Sequence, residues 1–230
     1  MNQRRFHFLA LTFAAALAVT LSVAAQKKAF QPNLSTLTDG KSWKVTGHKA
    51  TFLEEGGRKI IRFDQASGAG IAWLEGLEFT NGVIEFDAKG KDEFQKSFVG
   101  VAFRGVDEKT HDAVYFRPFN FKTDDPERKI HAVQYVSHPD FTWDRLRKER
   151  SNQYEKAIFP NPETPAPDPN GWFHARIVVA KPKISVYVND AKEPSLVVDE
   201  LSDRKGGWVG FWVGSSAGGD FANLKITPAK

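Results

Sequence analysis

Apolar and polar side chains alternate strictly along four successive segments in the middle of this chain. The segments cover residues 83–88, 98–104, 112–121 and 129–137. Because successive side chains of a β-strand point to opposite faces, each segment predicts a strand with one apolar face and one polar or small face. Gly and Pro residues separate the segments, and no stretch of convincing length has a helical period. The pattern predicts four strands of one sheet whose open face is polar.

The last third of the chain shows the same alternation. Residues 172–180 and 184–189 predict a hairpin in a second, outer sheet, and residues 208–214 and 221–226 predict two further strands. Many short strands with Gly and Pro between them are typical of an all-β fold, here a two-sheet antiparallel jelly-roll sandwich. The side chains predicted to fill the space between the sheets are Ile84, Phe86, Val101, Phe103, Val114, Phe116, Phe211 and Val213.

A long segment from Pro139 to Gly171 interrupts this alternation. Its second half contains Pro160, Pro162, Pro165, Pro167 and Pro169. These prolines predict an extended stretch without strands. Trp143, Leu146 and Tyr154 in the first half favour packing on the domain, as in a short helix. A loop this long inside a compact domain is usually functional or disordered, and we expect it to form the rim of a binding face.

The N-terminus has the composition of a secretory signal. Two arginines precede an apolar run over residues 8–23, and small residues favour cleavage after Ala25. This predicts a signal peptide over residues 1–25 and export to the periplasm or the cell exterior. The mature chain, residues 26–230, would then be a single domain without membrane attachment. An uncleaved anchor is the alternative, because the run approaches the ~20 residues that span a bilayer.

Charge and cysteine content exclude several classes of function. The 230 residues carry a formal charge of +4, and removing the two N-terminal arginines leaves 4 − 2 = +2. The only basic run, residues 145–150, is interrupted by Leu146 and Glu149. Nucleic-acid binding needs a clustered basic face, so we expect no nucleic-acid partner. The absence of cysteine removes disulfides, thiolate nucleophiles and cysteine metal sites, so the fold must depend on core burial.

Polar side chains on three consecutive predicted strands share one face. They are Arg104, Tyr115, Arg117, Gln134 and His138, and Asn120 follows on the second of these strands. If the strands are neighbours, these side chains converge beside the small residues Gly100 and Ala102. Arg and Gln donate hydrogen bonds to sugar hydroxyls, and His exchanges a proton near neutral pH. The face therefore predicts a binding site, and a solvated sheet face is the alternative.

Three aromatic side chains are suited to stacking on a sugar ring. They are Tyr115, Trp143 and Trp212, and Trp212 shares a strand face with Gly210, which leaves space beside the indole. The alternative is that these rings pack in the core or anchor the long loop.

The closing motifs carry a family resemblance. The stretches WFHARIVV, ISVYVN, GGWVGFWVG and DFANLKI resemble concanavalin A-like lectin and glucanase domains. Within them, the chain looks most like the secreted domain of unknown function 1080, or 3-keto-disaccharide hydrolases, over residues 43–226. The resemblance implies a jelly roll whose concave sheet faces carbohydrate, and some members act on 3-keto glycosides. Where the family tends to show Tyr-Glu and a further acid, this chain reads Tyr115-Phe116-Arg117.

Glu85 and Asp87 lie two residues apart on one predicted strand, so both carboxylates face the same side. The related glucanases use such a pair with a third acid, but Lys89 and Gly90 stand at the positions of that acid here. Glycoside hydrolysis usually needs an acid together with a nucleophile or base. Glu85 therefore remains a candidate for sugar binding, with solvated or ion-paired acids as the alternative.

The sequence predicts no metal centre and no cofactor. His131 and His138 are seven residues apart, and strand parity predicts that they lie on opposite faces. The single exception is Asp220, which follows Gly218-Gly219 and is a candidate ligand for a structural Ca²⁺.

Two functions use the same predicted face. The first function is an enzyme that acts on an oxidised sugar. A ketone at C3 of the sugar acidifies the hydrogen on C2, and His138 removes this hydrogen as the base. Arg117 and Arg104 then stabilise the enolate oxygen, the glycosidic oxygen leaves and water adds. The first alternative is a non-catalytic carbohydrate-binding domain. A structural or adhesion domain with a protein partner is the second.

Overall fold

The computed structural model describes residues 28–158 and 165–229. The predicted signal peptide and its cleavage site lie outside these residues. The described chain forms two antiparallel sheets of seven strands each, with few helices. The prediction of an all-β, two-sheet sandwich is therefore confirmed. Within the described residues, no helix is both long and apolar enough to cross a bilayer.

The strands are numbered in chain order. They are β1 (Trp43–Thr46), β2 (Ala50–Glu55), β3 (Arg58–Phe63), β4 (Gly70–Leu74), β5 (Gly82–Lys89), β6 (Val99–Gly105), β7 (His111–Phe116), β8 (Val133–His138), β9 (Glu155–Lys156), β10 (Trp172–Ala180), β11 (Lys183–Val188), β12 (Leu196–Asp199), β13 (Trp208–Val213) and β14 (Gly219–Pro228). The two α-helices are α1 (Pro126–Lys129) and α2 (Trp143–Glu149), and 3₁₀ turns cover Leu34–Asp39 and Pro118–Asn120.

The front sheet has the order β1-β4-β13-β6-β7-β8-β9, and the back sheet has the order β12-β11-β10-β5-β14-β3-β2. The prediction that β5 belongs to one sheet with β6, β7 and β8 is wrong, because β5 pairs with β10 and β14 in the back sheet. The chain crosses between the sheets after β5. Alternation reports which face of a strand is apolar but not which sheet the strand joins. The predicted hairpin β10–β11 does lie in the back sheet.

Two predicted strands are shorter than expected. β7 ends at Phe116 rather than at residue 121, because Pro118 lacks the N–H that a strand needs and begins a 3₁₀ turn instead. β8 begins at Val133 rather than at residue 129. The residues before it form α1, which is capped by the Asp125 carboxylate accepting from the N–H groups of Glu127 and Arg128. These shorter strands leave a turn region beside the front sheet.

The core lies between the two sheets. All eight side chains predicted to fill it have no exposed surface. The ring of Phe211 from the front sheet stacks on Phe221 from the back sheet with centroids 4.7 Å apart, and it also contacts Trp43 and Phe86. Such close aromatic packing across the interface joins the sheets into one hydrophobic unit.

The first part of the long segment after β8, residues 139–158, contains regular structure. Residues 159–164, which include Pro160 and Pro162 of the predicted extended stretch, lie outside the described residues. The first half of the segment forms α2, as expected, and Leu146 buries the inner side of this helix. The same half also contains β9, a two-residue strand that the sequence did not predict and that pairs with β8. This pairing brings α2 and Glu155 to the edge of the front sheet.

Candidate functional site

A cavity of about 600 Å³ opens on the outer face of the front sheet, the face opposite the core. We call it the front cavity. Strands β7, β8 and β13 supply its floor through Tyr115, Val136, His138 and Trp212. Its rim comes from the loops before β4, before β6 and after β13, and from the segments around α1 and α2. The rim residues are Gly68, Ala69, Phe94, Gln95, Phe98, Arg117, Phe119, Asn120, Arg128, His131, Trp143, Arg147, Gly214, Ser215 and Ser216.

Six of the predicted site residues line this cavity. They are Tyr115, Arg117, Asn120, His138, Trp143 and Trp212. Gln134 lies fully buried beside them and reaches the cavity through its contacts with Tyr115 and Arg117. Strand pairing explains this convergence, because Tyr115 lies opposite Gln134 on β8 and opposite Gly100 on β6, and Gly100 lies opposite Trp212 on β13.

A buried hydrogen-bond network fixes the floor. The Tyr115 hydroxyl donates to Oε1 of Gln134 at 2.6 Å and accepts from Nη2 of Arg117 at 2.8 Å. Nη2 of Arg117 also donates to Oε1 of Gln134, and Nη1 donates to the carbonyl oxygen of His131 at 2.8 Å. Burial raises the pKa of Tyr115 above its usual value, although Arg117 opposes this shift. The phenol therefore stays protonated at neutral pH, and the guanidinium is held in one orientation.

Gly100 permits the aromatic floor. A Cβ atom at this position would overlap the Val114 carbonyl oxygen and lie 2.6 Å from Cα of Tyr115, so a larger residue would force β7 and the Tyr115 side chain away from β6. With glycine there, the rings of Tyr115 and Trp212 lie together with centroids 4.9 Å apart. The indole N–H of Trp212 has no partner among the described residues. The floor thus combines two closely packed aromatic rings with a buried indole N–H that has no partner in the described part of the chain.

Two histidines meet at one end of the floor. The rings of His111 and His138 have centroids 5.0 Å apart, and His138 lines the cavity. Burial is the main cause that lowers the pKa of His138, and the positive charge of Arg204 lowers it further. Asp112 opposes this shift. Burial, together with His138 and Arg204, lowers the pKa of His111 to about 3. Both imidazoles are therefore neutral at pH 7, which is the form that accepts a proton.

Strand parity missed a second group, built around Glu155. This carboxylate is buried, and it accepts from Nε and Nη2 of Arg147 at 2.9 and 3.0 Å. Nδ1 of His131 lies 2.8 Å from Oε2 of Glu155, but the N–H direction is not aligned for a hydrogen bond. Nη1 of Arg117 lies 3.6 Å from the same oxygen. Burial lowers the pKa of His131, and Glu155 opposes that shift.

The prediction that His131 and His138 lie on opposite faces is wrong, because both line the front cavity. His131 precedes β8 and sits in the turn after α1, where strand parity does not apply. The sequence signal that could have located Glu155 and Arg147 is weak, since it consists of a two-residue strand and one helical arginine inside an irregular segment.

Arg104 does not belong to this site, contrary to prediction. A β-bulge places Phe103 and Arg104 opposite the single residue Val209, and Arg104 has φ of 50°. The bulge breaks strand parity and turns the side chain inward. The guanidinium donates to the Thr80 carbonyl and to Glu200, each at 2.8 Å, and lies 3.7 Å from Asp112. Arg104 is thus part of a buried structural ion network.

Glu85 also lies away from the cavity, contrary to prediction. It projects from the outer face of the back sheet, because β5 belongs to that sheet and its alternate residues Ile84 and Phe86 fill the core. Its carboxylate pairs with Lys225 at 2.7 Å. Asp87 on the same face pairs with Arg58 and with His174. These acids match the ion-paired alternative.

No set of three His, Cys, Asp or Glu side chains in residues 28–158 and 165–229 is arranged to hold a metal ion. Asp220, the candidate calcium ligand, accepts from Nε and Nη2 of Arg62 at 2.7 and 2.8 Å. Both carboxylate oxygens thus contact a guanidinium, an arrangement that favours a structural ion pair.

The lining of the front cavity has an unusual charge composition. Arg117, Arg128 and Arg147 line it together with two histidines, and none of its described lining residues is Asp or Glu. The two lining histidines are His131 and His138. Glu155 lies behind the lining and is shared between Arg147 and Arg117. The cavity is therefore electropositive.

Comparison with known proteins identifies relatives by sequence and by fold. The model of the 3-keto-alpha-glucoside-1,2-lyase-like domain matches residues 33–227. No curated protein sequence matches the chain.

Solved structures share the fold at low sequence identity. A Bacillus subtilis protein of unknown function with a galectin-like fold has a TM-score of 0.58 at 11% identity, with 89% of this chain and 98% of that chain covered. Carbohydrate binding module CBM66 from Bacillus subtilis has a TM-score of 0.53 at 15% identity, with 80% and 95% covered. The exoplasmic domain of VIP36, in its Ca²⁺/Man3GlcNAc-bound form, has a TM-score of 0.50 at 11% identity, with 83% and 85% covered.

Proposed function

This chain belongs to the 3-keto-alpha-glucoside-1,2-lyase-like domain family, and on that premise we propose that the front cavity binds a glycoside oxidised at C3 and cleaves its glycosidic bond. The observation that carries the proposal is the lining of the cavity, which offers neutral histidines and fixed arginines around an aromatic floor.

The proposed reaction begins with proton removal. A ketone at C3 acidifies the hydrogen on C2, and the neutral imidazole of His138 takes that proton. The C–H electron pair forms an enolate whose negative oxygen is stabilised by the nearby positive charge of Arg117. The enolate then expels the glycosidic oxygen from C1, which takes up a proton as it leaves. Addition of water across the resulting C1–C2 double bond gives the free 3-keto sugar.

The charge of the cavity supports this route over ordinary glycoside hydrolysis. Ordinary retaining and inverting hydrolases place two carboxyl groups about the scissile bond. The described lining has no carboxylate, and Glu85 and Asp87 lie on the other sheet. A positive cavity suits an enolate, because negative charge develops during the reaction.

The test measures the exchange of hydrogen for deuterium at C2 of the sugar. Purified protein is incubated with a 3-keto disaccharide in D₂O, and both deuterium incorporation at C2 and sugar release are measured by NMR. We expect turnover in the wild type and a loss of about 10²–10⁴-fold in His138→Ala, with a smaller change in affinity. His174→Ala is the matched control, because this half-exposed histidine lies on the outer face of the back sheet. Equal turnover in His138→Ala and the wild type would remove His138 from the mechanism.

Sugar binding without turnover is the second candidate function. It is favoured by the aromatic floor and by the shared fold with CBM66 and with sugar-bound VIP36. In that case the same experiment gives measurable affinity for the sugar but no deuterium at C2 in the wild type.

The site of action is proposed to lie outside the cytoplasm. The support is the charged and apolar composition of residues 1–25. N-terminal sequencing of the exported protein should recover a chain that begins near Gln26, and recovery of Met1 would contradict cleavage.

A further inference from the structure

Two arginines at the rim of the front cavity are held in place while keeping a free donor. Arg128 donates from Nη2 to the Phe119 carbonyl at 2.8 Å and from Nε to Oδ1 of Asn120 at 3.3 Å. Its guanidinium also lies over the Phe94 ring, 4.6 Å from the centroid. Nη1 makes no hydrogen bond with any described residue. These contacts orient a cation that has one edge unused.

Arg147 repeats this arrangement from α2. Nε and Nη2 form a bidentate pair with Glu155, and the guanidinium lies over the Trp143 ring, 5.3 Å from the centroid. Its Nη1 likewise has no hydrogen-bond partner within the described part of the chain. Phe94 and Trp143 are 57% and 51% exposed, so each arginine stands beside an aromatic surface that is open to a ligand.

Among the residues that the structure describes, the rim holds more positive charge than its protein partners neutralise. Glu155 is the one buried carboxylate of this part of the chain that contacts the lining arginines, and it is shared by Arg147 and Arg117. Glu127 on α1 acts on Arg147 and Asp144 on α2 acts on His138, but both carboxylates are exposed to solvent, where their fields are screened. A neutral sugar would leave the free guanidinium edges without an anionic partner.

We propose that the ligand of the front cavity is an acidic sugar, whose carboxylate or sulfate binds the free edges of Arg128 and Arg147. The proposal rests on the proposed function only in that the cavity binds a sugar. A planar guanidinium fixed by stacking matches the oxygen pair of such a group, and little side-chain entropy remains to be lost on binding. The exposed rings of Phe94 and Trp143 then contact the apolar face of the sugar.

The experiment compares three probes by titration calorimetry. Methyl glucoside is neutral, methyl glucuronide carries a carboxylate and methyl glucoside 6-sulfate carries a sulfate. We expect at least one acidic probe to bind about 10-fold more tightly than the neutral one, equivalent to about 1.4 kcal/mol. This preference should decrease between 0.05 and 0.5 M NaCl, because salt screens a half-exposed charge pair. The carboxylate and sulfate arms show which group is preferred.

Two variants test whether Arg128 causes the preference for the acidic probes. Arg128→Gln should reduce the preference for the acidic probe to about 3-fold or less. Lys129→Gln removes the same charge from an exposed neighbour on the same helix, and it should leave the preference unchanged. The salt titration of the wild type tests the same point without any substitution.

The outcomes separate this inference from the proposed function. Equal affinity for neutral and acidic probes, or an acidic preference that survives Arg128→Gln, would overturn the inference while leaving sugar binding intact. If the folded wild type binds none of the three probes and releases no sugar from a 3-keto disaccharide, the proposed function fails as well.

Discussion

The guanidinium of Arg117 serves as a structural connector as well as a charge. It donates to Tyr115, Gln134 and the His131 carbonyl, and it is 5% exposed. Arg117→Ala removes the donor to the Tyr115 hydroxyl, and it removes one of two donors to Oε1 of Gln134 and to the His131 carbonyl. It also leaves Glu155 with one cation fewer. We therefore expect a loss of about 3 kcal/mol or more in the free energy of unfolding, measured by urea denaturation at pH 7.

Two comparisons make the Arg117 prediction specific. Arg117→Lys keeps the charge, but a single ammonium nitrogen cannot reproduce the separated Nη1 and Nη2 donors of the guanidinium, so its loss should be intermediate. Arg145→Ala on α2 removes an exposed arginine paired with Glu149 and should change stability by less than about 0.5 kcal/mol. A loss below about 1 kcal/mol in Arg117→Ala would show that the network does not support the fold.

Burial of His111 predicts an acid-dependent loss of stability. Its pKa is lowered to about 3 when folded, whereas an unfolded histidine titrates near 6.5. Between these values the unfolded chain binds more protons than the folded chain, so stability is present above pH 6.5 and is lost as pH falls. His111 alone should contribute a decrease of about 2 kcal/mol between pH 7 and pH 5.

The measurement for His111 is the free energy of unfolding as a function of pH. His138 and His131 also have lowered pKa values and add to the slope with the same sign. His111→Gln should therefore flatten the slope without abolishing it. An unchanged slope in this variant would mean that His111 is protonated in the folded protein at pH 5.

Strand parity predicted side-chain positions where the strands are regular. It grouped Tyr115, Gln134 and His138 correctly because β7 and β8 pair in simple register. It failed at Arg104, where one extra residue in β6 reverses the direction of the side chain. It also failed at His131, which lies in a turn. Bulges and turns depend on pairing with distant strands, so a local pattern does not contain them.

The segment formed by α2 and β9 sets one wall of the cavity. Leu146 on α2 is buried, and its neighbours Trp143 and Arg147 line the cavity. Leu146→Ala should cost about 2–3 kcal/mol if it unfolds the whole domain, because it removes buried apolar volume. If the segment opens alone, amide hydrogen exchange in α2 and β9 should become faster than in the two sheets.

A matched change on the same helix controls for helix propensity. Lys148→Ala alters an exposed position and should leave both stability and exchange close to the wild type. If Leu146→Ala matches Lys148→Ala in both measurements, α2 is not held by its apolar side.

At the scale of elements, composition predicted the helix in this segment but not its docking. Trp143, Leu146 and Tyr154 indicated packing of the first half. The pairing of β9 with Val133 and Gln134 involves only two residues and has no sequence signature of its own. Whether such a short strand forms depends on the sheet edge with which it pairs. The position of that edge is a property of the whole sheet.

For the whole molecule, the alternation of apolar residues predicted two layers and the core between them. It did not predict the exchange of β5 into the back sheet, because both sheets present the same apolar pattern to one shared core. The consequence for function is direct. Glu85 and Asp87 lie on the outer face of the back sheet, and the lining residues of the front cavity that the structure describes include no carboxylate.

The shared core also predicts how the domain unfolds. Phe211 has no exposed surface, and its ring contacts Phe221 and Phe86 of the back sheet as well as Trp43 of the front sheet. Phe211→Ala should lower the free energy of unfolding by about 3–5 kcal/mol, since the cavity left behind faces both sheets. Val197→Ala on β12, where the side chain is exposed, should change it by less than about 0.5 kcal/mol.

Because one core joins the two layers, far- and near-ultraviolet circular dichroism should report a single coincident transition in urea for the wild type and for both variants. Separate transitions would mean that the sheets unfold independently and that contacts across the interface, such as Phe211 on Phe221, do not couple them. A loss below about 1 kcal/mol in Phe211→Ala would place this ring outside the part of the core that limits stability.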